Sequence, residues 1–211
     1  MSPSTLTPES LARGAAVLAD LDPDLGSIVA RFGLPPLWNR PPGFPTLVRI
    51  ILEQQVSLAS ASAAYQKLEQ RLATVTPERF VQLSDVALKQ IGFSRQKSSY
   101  CRSLAESILM GEIDLIALDA LDDTSARSAL LRIKGVGPWT ADIYLLMAML
   151  RPDVWPSGDL ALAKAAQDVK SLAARPGTDE LHALAEPWRP WRAIAARLLW
   201  HYYLSNTHGR G

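Results

Sequence analysis

Three times along this chain a helix-capping side chain is followed by proline and then by an acid: Thr7-Pro8-Glu9, Asp22-Pro23-Asp24 and Thr76-Pro77-Glu78. This triplet constrains the fold more than any other feature. A Thr or Asp oxygen accepts one of the unpaired N–H groups of a helical first turn. Proline at the first helical position gives up an N–H that had no partner anyway. An acid beside it suits the positive end of the helix dipole. Ser84-Asp85 and Thr178-Asp179-Glu180 repeat the signal without proline. Between these starts apolar residues recur at helical spacing, as in Leu47, Ile50, Ile51 and Leu58, or Tyr100, Leu104 and Ile108. No alternating run of β-branched residues competes with them. The expectation is an all-α fold of roughly ten short helices.

Two segments must break the helical pattern. Leu34 to Phe44 (LPPLWNRPPGF) carries four prolines and cannot be helix throughout, so it is expected to cross between lobes. Arg151 to Gly158 (RPDVWPSG) is expected to be a loop leading into a new helix at Asp159. A hydrophobic fraction of 48% with 20% charged residues supplies a packed core and excludes disorder. The single cysteine, Cys101, excludes a disulfide within the chain and any cysteine cluster for zinc or iron–sulfur. The apolar stretch Tyr144 to Leu150 falls far short of the ~20 residues needed to span a bilayer. The first twenty residues lack a basic region followed by an apolar run, so no signal peptide is expected. A cytoplasmic location and no membrane partner follow as expectations. The net charge is only +1, so a nucleic-acid partner would have to be gripped by a local site rather than a global field.

The segment Ala129 to Leu150 reads ALLRIKGVGPWTADIYLLMAML. An apolar helix is expected to end at Ile133 and Lys134, and Pro138 to open a second helix running to about Leu150. Gly135, Val136 and Gly137 make the turn between them. Glycines let the turn be sharp and its backbone exposed. The N–H groups near Gly135, Gly137 and Trp139 then lie at the positive end of a helix dipole, a ready anion site that fits a DNA phosphate. Alone, such a turn is equally consistent with a plain αα-hairpin.

The motif G-V-G-P-W-T-A between two apolar helices resembles the helix-hairpin-helix superfamily of DNA glycosylases. Two further segments narrow the resemblance to its alkylation-repair branch, the 3-methyladenine DNA glycosylase II family. One is Phe44 to Ala63, FPTLVRIILEQQVSLASASA; the other is the C-terminal run from Glu186 to Tyr203. The resemblance implies a two-lobed fold with a DNA groove between the lobes. One lobe is expected to comprise about 1–43 with 157–211, the other about 44–156. It implies a catalytic role for Asp159, which in isolation reads equally well as a helix N-cap. Asp142, Asp153 and Asp168 are rivals off the family position. It implies phosphate contacts at Gly135, Gly137, Trp139 and Thr140, and a substrate pocket of Trp139, Trp200, Gln54 and Ile143. Ile143 stands where the best-known branch has tyrosine. Gln55 would fill the gap left by an extruded base. Trp188 and Trp191 are expected in the core.

Members that also cut the strand place a lysine two residues after the second glycine; here that residue is Trp139, and Lys134 lies on the other side of the turn. The resemblance therefore implies hydrolysis without strand cleavage. It also implies Na+ or K+ at the backbone carbonyls of Leu131, Ile133 and Val136, with no other cofactor and no iron–sulfur cluster. Arg95, Lys97, Arg102 and Lys164 are candidates for phosphate contacts or plain solvated faces. The expected partner is duplex DNA containing damaged bases, met by a monomer. The competing reading is a helix-hairpin-helix DNA-binding module with no chemistry.

Overall fold

The structure, a computed structural model, describes residues 5–207; the first four residues of the N-terminal leader reading and the last four of the chain lie outside them. Every regular element among the described residues is helical. None of these helices is long and apolar enough to cross a membrane. The described residues divide into two compact units, one of residues 40–149 and the other of residues 5–39 together with 150–207. Both boundaries lie a few residues before the expected ones, for local reasons. The Arg40 N–H donates to the Met147 carbonyl at 2.9 Å, and its guanidinium forks onto Glu53 with two bonds of 2.9 Å, so Arg40 to Gly43 go with the first unit. The Leu150 carbonyl accepts from the Leu6 N–H at 2.8 Å, and that of Pro152 from the Ala193 N–H at 3.0 Å, so the 150–156 stretch goes with the second.

In the unit 40–149 the central element is α3 (Phe44–Glu53), which buries Phe44, Leu47, Val48, Ile50, Ile51 and Leu52. A helix apolar on nearly every face must be surrounded. α4 (Leu58–Leu72), α7 (Arg95–Leu109) and α9 (Pro138–Met147) pack around it. Each large side chain so buried contributes about 1.5–3 kcal/mol. The four-residue α5 (Pro77–Phe80) is worth forming because Phe80 wedges between Phe44 and Phe93, at ring distances of 5.8 and 6.0 Å. α6 (Asp85–Gln90) packs on α7, and α8 (Asp123–Leu131) packs on α9. The Tyr144 hydroxyl accepts from the Gly43 N–H at 2.8 Å, and burial raises its pKa.

The second unit holds α1 (Pro8–Leu21), α2 (Pro23–Phe32), α10 (Leu160–Val169), α11 (Thr178–Ala185) and α12 (Arg192–Thr207). α12 packs on α1, α2 and α10. Its buried Ala193, Ala195 and Ala196 allow close approach, and Gly14 of α1 leaves room that Ile194 and Trp191 fill. The capping residues sit where the sequence placed them at Thr7, Asp22, Thr76 and Ser84. α11 departs by one residue: Gly177 is the cap, because Glu180 Oε2 accepts its N–H at 2.7 Å.

Asp22 ties three parts of this unit together. It caps α2 through the Asp24 N–H at 3.1 Å, accepts the Trp188 indole N–H at 2.9 Å, and pairs with Lys170 Nζ at 2.5 and 2.7 Å. Burial alone would raise its pKa, but the Lys170 and Trp188 bonds outweigh it and hold the carboxyl below its ordinary value. Asp22→Asn keeps the cap and leaves Lys170 without its buried partner. Lys170 keeps its second, half-exposed partner Asp24 at 2.8 Å, so the expected loss in unfolding free energy is about 1–2 kcal/mol. A carboxyl with a depressed folded-state pKa contributes stability that is full above its unfolded value and is lost as pH falls through the folded one. Chemical denaturation at pH 7 and at successively lower pH below about 4 should therefore show the gap between wild type and variant shrinking as the pH drops.

Candidate functional site

In the unit 40–149 the hairpin runs from α8 through residues 132–137 into α9. Its two glycines have different jobs. Gly135 has φ +87°, and a Cβ there would run into the Tyr100 ring of α7. Gly137 is extended, with φ −89° and ψ 179°, and nothing lies within 4 Å of where its Cβ would be. The fold requires the first glycine. The second leaves open backbone for a ligand to approach. The buried Val136 ties the turn down through its N–H to the Ile133 carbonyl at 3.0 Å. Pro138 takes the first helical position and the Ala141 N–H makes the first ladder bond, to the Gly137 carbonyl. The N–H groups of Trp139 and Thr140 therefore precede the ladder, at the positive end of the helix.

Gln54, expected beside an extruded base, is tied to the hairpin. Its amide donates to the Gly135 carbonyl at 2.9 Å and to the Thr140 hydroxyl at 2.8 Å. Thr140 is correspondingly buried at 2% exposure, its hydroxyl turned inward. Gln55 is exposed and has φ +56°, a left-handed conformation uncommon for any residue but glycine. Exposed Val56 and Leu58 follow it. Trp139 is half-buried and Ile143 fully buried on α9.

In the second unit Asp159 is the N-cap of α10. Its Oδ1 accepts the Leu162 N–H at 2.9 Å and the Trp200 indole N–H at 3.2 Å, and the residue is only 8% exposed. The cap and the proposed chemical role thus fall on one carboxylate. The three rival acids are each tied to a cation: Asp142 to Arg127 at 2.6 Å, Asp153 to Arg189 and Arg192, and Asp168 to Lys164. Trp200 stands edge-on to Trp38 at 6.3 Å. Trp38 has φ +47°, and its loop is fixed by the fully buried Arg197, whose Nε donates to the Leu37 carbonyl at 2.9 Å. Burial lowers the Arg197 pKa to about 10.

Comparison with known proteins places this geometry. Residues 48–190 match the model of the HhH-GPD superfamily base excision DNA repair proteins. The chain belongs to the HhH-GPD superfamily. The alkylbase DNA glycosidase-like protein mag2 of Schizosaccharomyces pombe is 27% identical over 201 residues, which cover 92% of this chain and 93% of mag2. The solved DNA-3-methyladenine glycosidase of Bacillus halodurans is 30% identical with a TM-score of 0.76, covering 92% of this chain and 91% of that one. The abasic-DNA complex of the S. pombe 3-methyladenine glycosylase Mag1 shares the fold, with a TM-score of 0.79 at 23% identity, over 89% of this chain and 95% of its own. Against a longer relative, the putative DNA-3-methyladenine glycosylase YfjP of Bacillus subtilis, the match covers 56% of that protein.

The HhH-GPD span contains Gln54, the hairpin and Asp159, and ends before Trp200. Three of the four basic residues singled out in the sequence are engaged within the fold. Arg102 binds the Val81 and Leu83 carbonyls and Asp85; Lys164 pairs with Asp168; Lys97 donates to the Leu52 carbonyl. Arg95 is exposed. Trp188 sits in the core against Trp155. Sequence reasoning missed Trp38, because a tryptophan inside a proline-rich linker carries no periodicity. The contrast between the two glycines has a direct consequence. Gly135→Ala should lower unfolding free energy by about 2 kcal/mol or more, from positive φ and the Tyr100 clash. Gly137→Ala should keep the wild-type melting temperature and bind duplex DNA roughly tenfold more weakly at low salt, the scale of a lost charge-assisted backbone contact. Thermal unfolding and fluorescence anisotropy check the pair.

Proposed function

We propose that this chain is a monofunctional DNA glycosylase that hydrolyses the N-glycosidic bond of alkylated purines in duplex DNA, such as 3-methyladenine or 7-methylguanine, and leaves an abasic site. The observation that carries this reading is Asp159, a buried carboxylate held by a helix N–H and an indole N–H, for which the family resemblance implies a catalytic role. The names of the relatives, 3-methyladenine glycosylases among them, point the same way.

The chemistry follows from the charge. The bond from the sugar C1′ to the base nitrogen breaks heterolytically, and its electron pair leaves with the base. A purine alkylated on a ring nitrogen is cationic and departs neutral, so little acid catalysis is needed. Positive charge develops on the sugar, as in glycoside hydrolysis. The fixed Asp159 anion stabilises that charge and orients water, which adds to C1′ and gives up a proton. The aromatic face of Trp200, whose indole N–H binds Asp159, attracts a cationic base more than a neutral one. Trp139 stands two residues after Gly137 where strand-cutting members have lysine, so no amine is placed there to form a Schiff base with the sugar. The hairpin carbonyls of Leu131, Ile133 and Val136 are neutral oxygen donors at a helix C-terminus, a set that suits Na+ or K+. Such an ion would supply positive charge beside a bound phosphate. The partner is duplex DNA, met by a monomer inside the cell.

Asp159→Asn separates enzyme from binding module. Asn is an equally good N-cap, so the variant should fold and bind duplex as wild type does. Release of base from methylated duplex should slow about 100-fold or more, the loss expected with one charge-stabilising group. Strand breaks should appear only after alkali. Equal, measurable release by both proteins would remove Asp159 from the chemistry; release by neither, with duplex still bound, would favour the binding module; breaks without alkali would show a lyase.

A further inference from the structure

The turn that carries Gln55 is held from behind by α7, and we propose that Lys97 is a positioning residue that sets this turn for base extrusion, an inference that rests on the glycosylase reading. The Lys97 ammonium donates to the Leu52 carbonyl at 2.6 Å, across 45 residues of sequence. It is half-buried, so it is not a solvated face. Leu52 lies in the last turn of α3, whose terminal carbonyls have no ladder partner. A cation suits this negative end of the helix. Two residues later Gln54 leaves the helix at φ −60°, ψ 123°, and Gln55 follows at φ +56°. The Lys97 bond therefore fixes where α3 stops and where the left-handed residue begins.

The same helix sets the hairpin. Tyr100 lies one turn after Lys97, on the same face, and its ring fills the space beside Gly135. Gln96 holds that ring by donating to the Tyr100 hydroxyl at 2.7 Å. Gln54 closes the arrangement with its bonds to Gly135 and Thr140. One face of α7 thus buttresses both the backbone meant for phosphate and the turn meant for the duplex interior. From Gln55 to Ser60 every residue is exposed, Val56 at 44% and Leu58 at 63%. The inserting surface has no packing of its own on that side, so its position depends on what lies behind it. Burial lowers the Lys97 pKa, in keeping with an amine engaged inside the fold.

Extruding a paired base means breaking its pair and stack, and a lesion with no partner needs less of this work. That difference isolates the Lys97 role. The full chain and its Lys97→Met, Lys97→Arg, Gln55→Ala and Lys97→Met/Gln55→Ala variants would be assayed under single-turnover conditions. The probe is 7-methylguanine, placed either opposite cytosine or opposite an abasic-site analogue. Lys97→Met should slow release from the paired lesion at least ~10-fold and from the unpaired one less than ~2-fold. Lys97→Arg should recover part of the paired rate. Lys97→Met should add nothing to Gln55→Ala, as expected when one residue acts through the other. Equal slowing on both substrates would reduce Lys97 to general stability and overturn the proposal. Additive effects, or a shallower salt dependence of binding with unchanged release, would make Lys97 a phosphate contact and overturn it as well. Should Lys97→Met melt below the assay temperature, the Lys97→Arg and Gln55→Ala pair carries the same comparison. A wild-type chain that releases base from neither substrate would overturn the glycosylase reading itself.

Discussion

An α-helix leaves four N–H groups and four carbonyls unpaired at its ends, and a chain built almost wholly of short helices must satisfy many such groups. In this protein that constraint organises both the packing and the candidate chemistry. Thr7, Asp22, Ser57, Thr76, Ser84, Ser94, Asp122 and Asp159 each turn a side-chain oxygen back onto the first helical turn. The functional elements depart from this pattern in two ways. α9 begins after Gly137 with no side-chain cap, as α3 does after Gly43 and α11 after Gly177, and of these starts it is the one in the hairpin turn. α3 ends against Gln54 and Lys97, which belong to long-range contacts rather than to a local cap.

This distinction explains how much could be read from the sequence. Thr76 caps its helix by reaching three residues along the chain, and the triplet Thr76-Pro77-Glu78 announces it. The hairpin and Asp159 were legible for the same reason, since their geometry is set within a few residues. Gln54 reaches 81 and 86 residues to its partners, and Lys97 reaches 45. No periodicity encodes such pairs, so the sequence shows neither the Gln54 bonds to the hairpin nor the Lys97 bond to Leu52. Trp38 escaped altogether, because its place beside Trp200 depends on a buried arginine 160 residues away from the carbonyl it binds.

Asp159 shows why a structural and a chemical reading of one residue need not compete. As a cap it is fixed in place by the backbone of α10, and the Trp200 indole fixes it from a second direction. A carboxylate meant to stabilise charge in a transition state gains from being held before substrate arrives, because no reorganisation is then needed during the reaction. Asp142, Asp153 and Asp168 stand off the position that the resemblance singles out, and each is matched with arginine or lysine.

Backbone strain follows the same logic. Gln55 and Trp38 occupy left-handed conformations that cost a non-glycine residue about 1–3 kcal/mol each. Neither is a natural choice for a turn, where glycine or asparagine would be cheaper. Each persists because its neighbours over-determine it: Gln54 and the Ser57 cap flank Gln55, and Arg197 grips the carbonyl preceding Trp38. Gln55 points to solvent from the unit that carries the hairpin, and Trp38 stands one ring away from the tryptophan that holds Asp159. Ala73, Leu150 and Ser171 share the left-handed conformation away from these groups, so positive φ alone marks no site; what distinguishes Gln55 and Trp38 is what lies beside them.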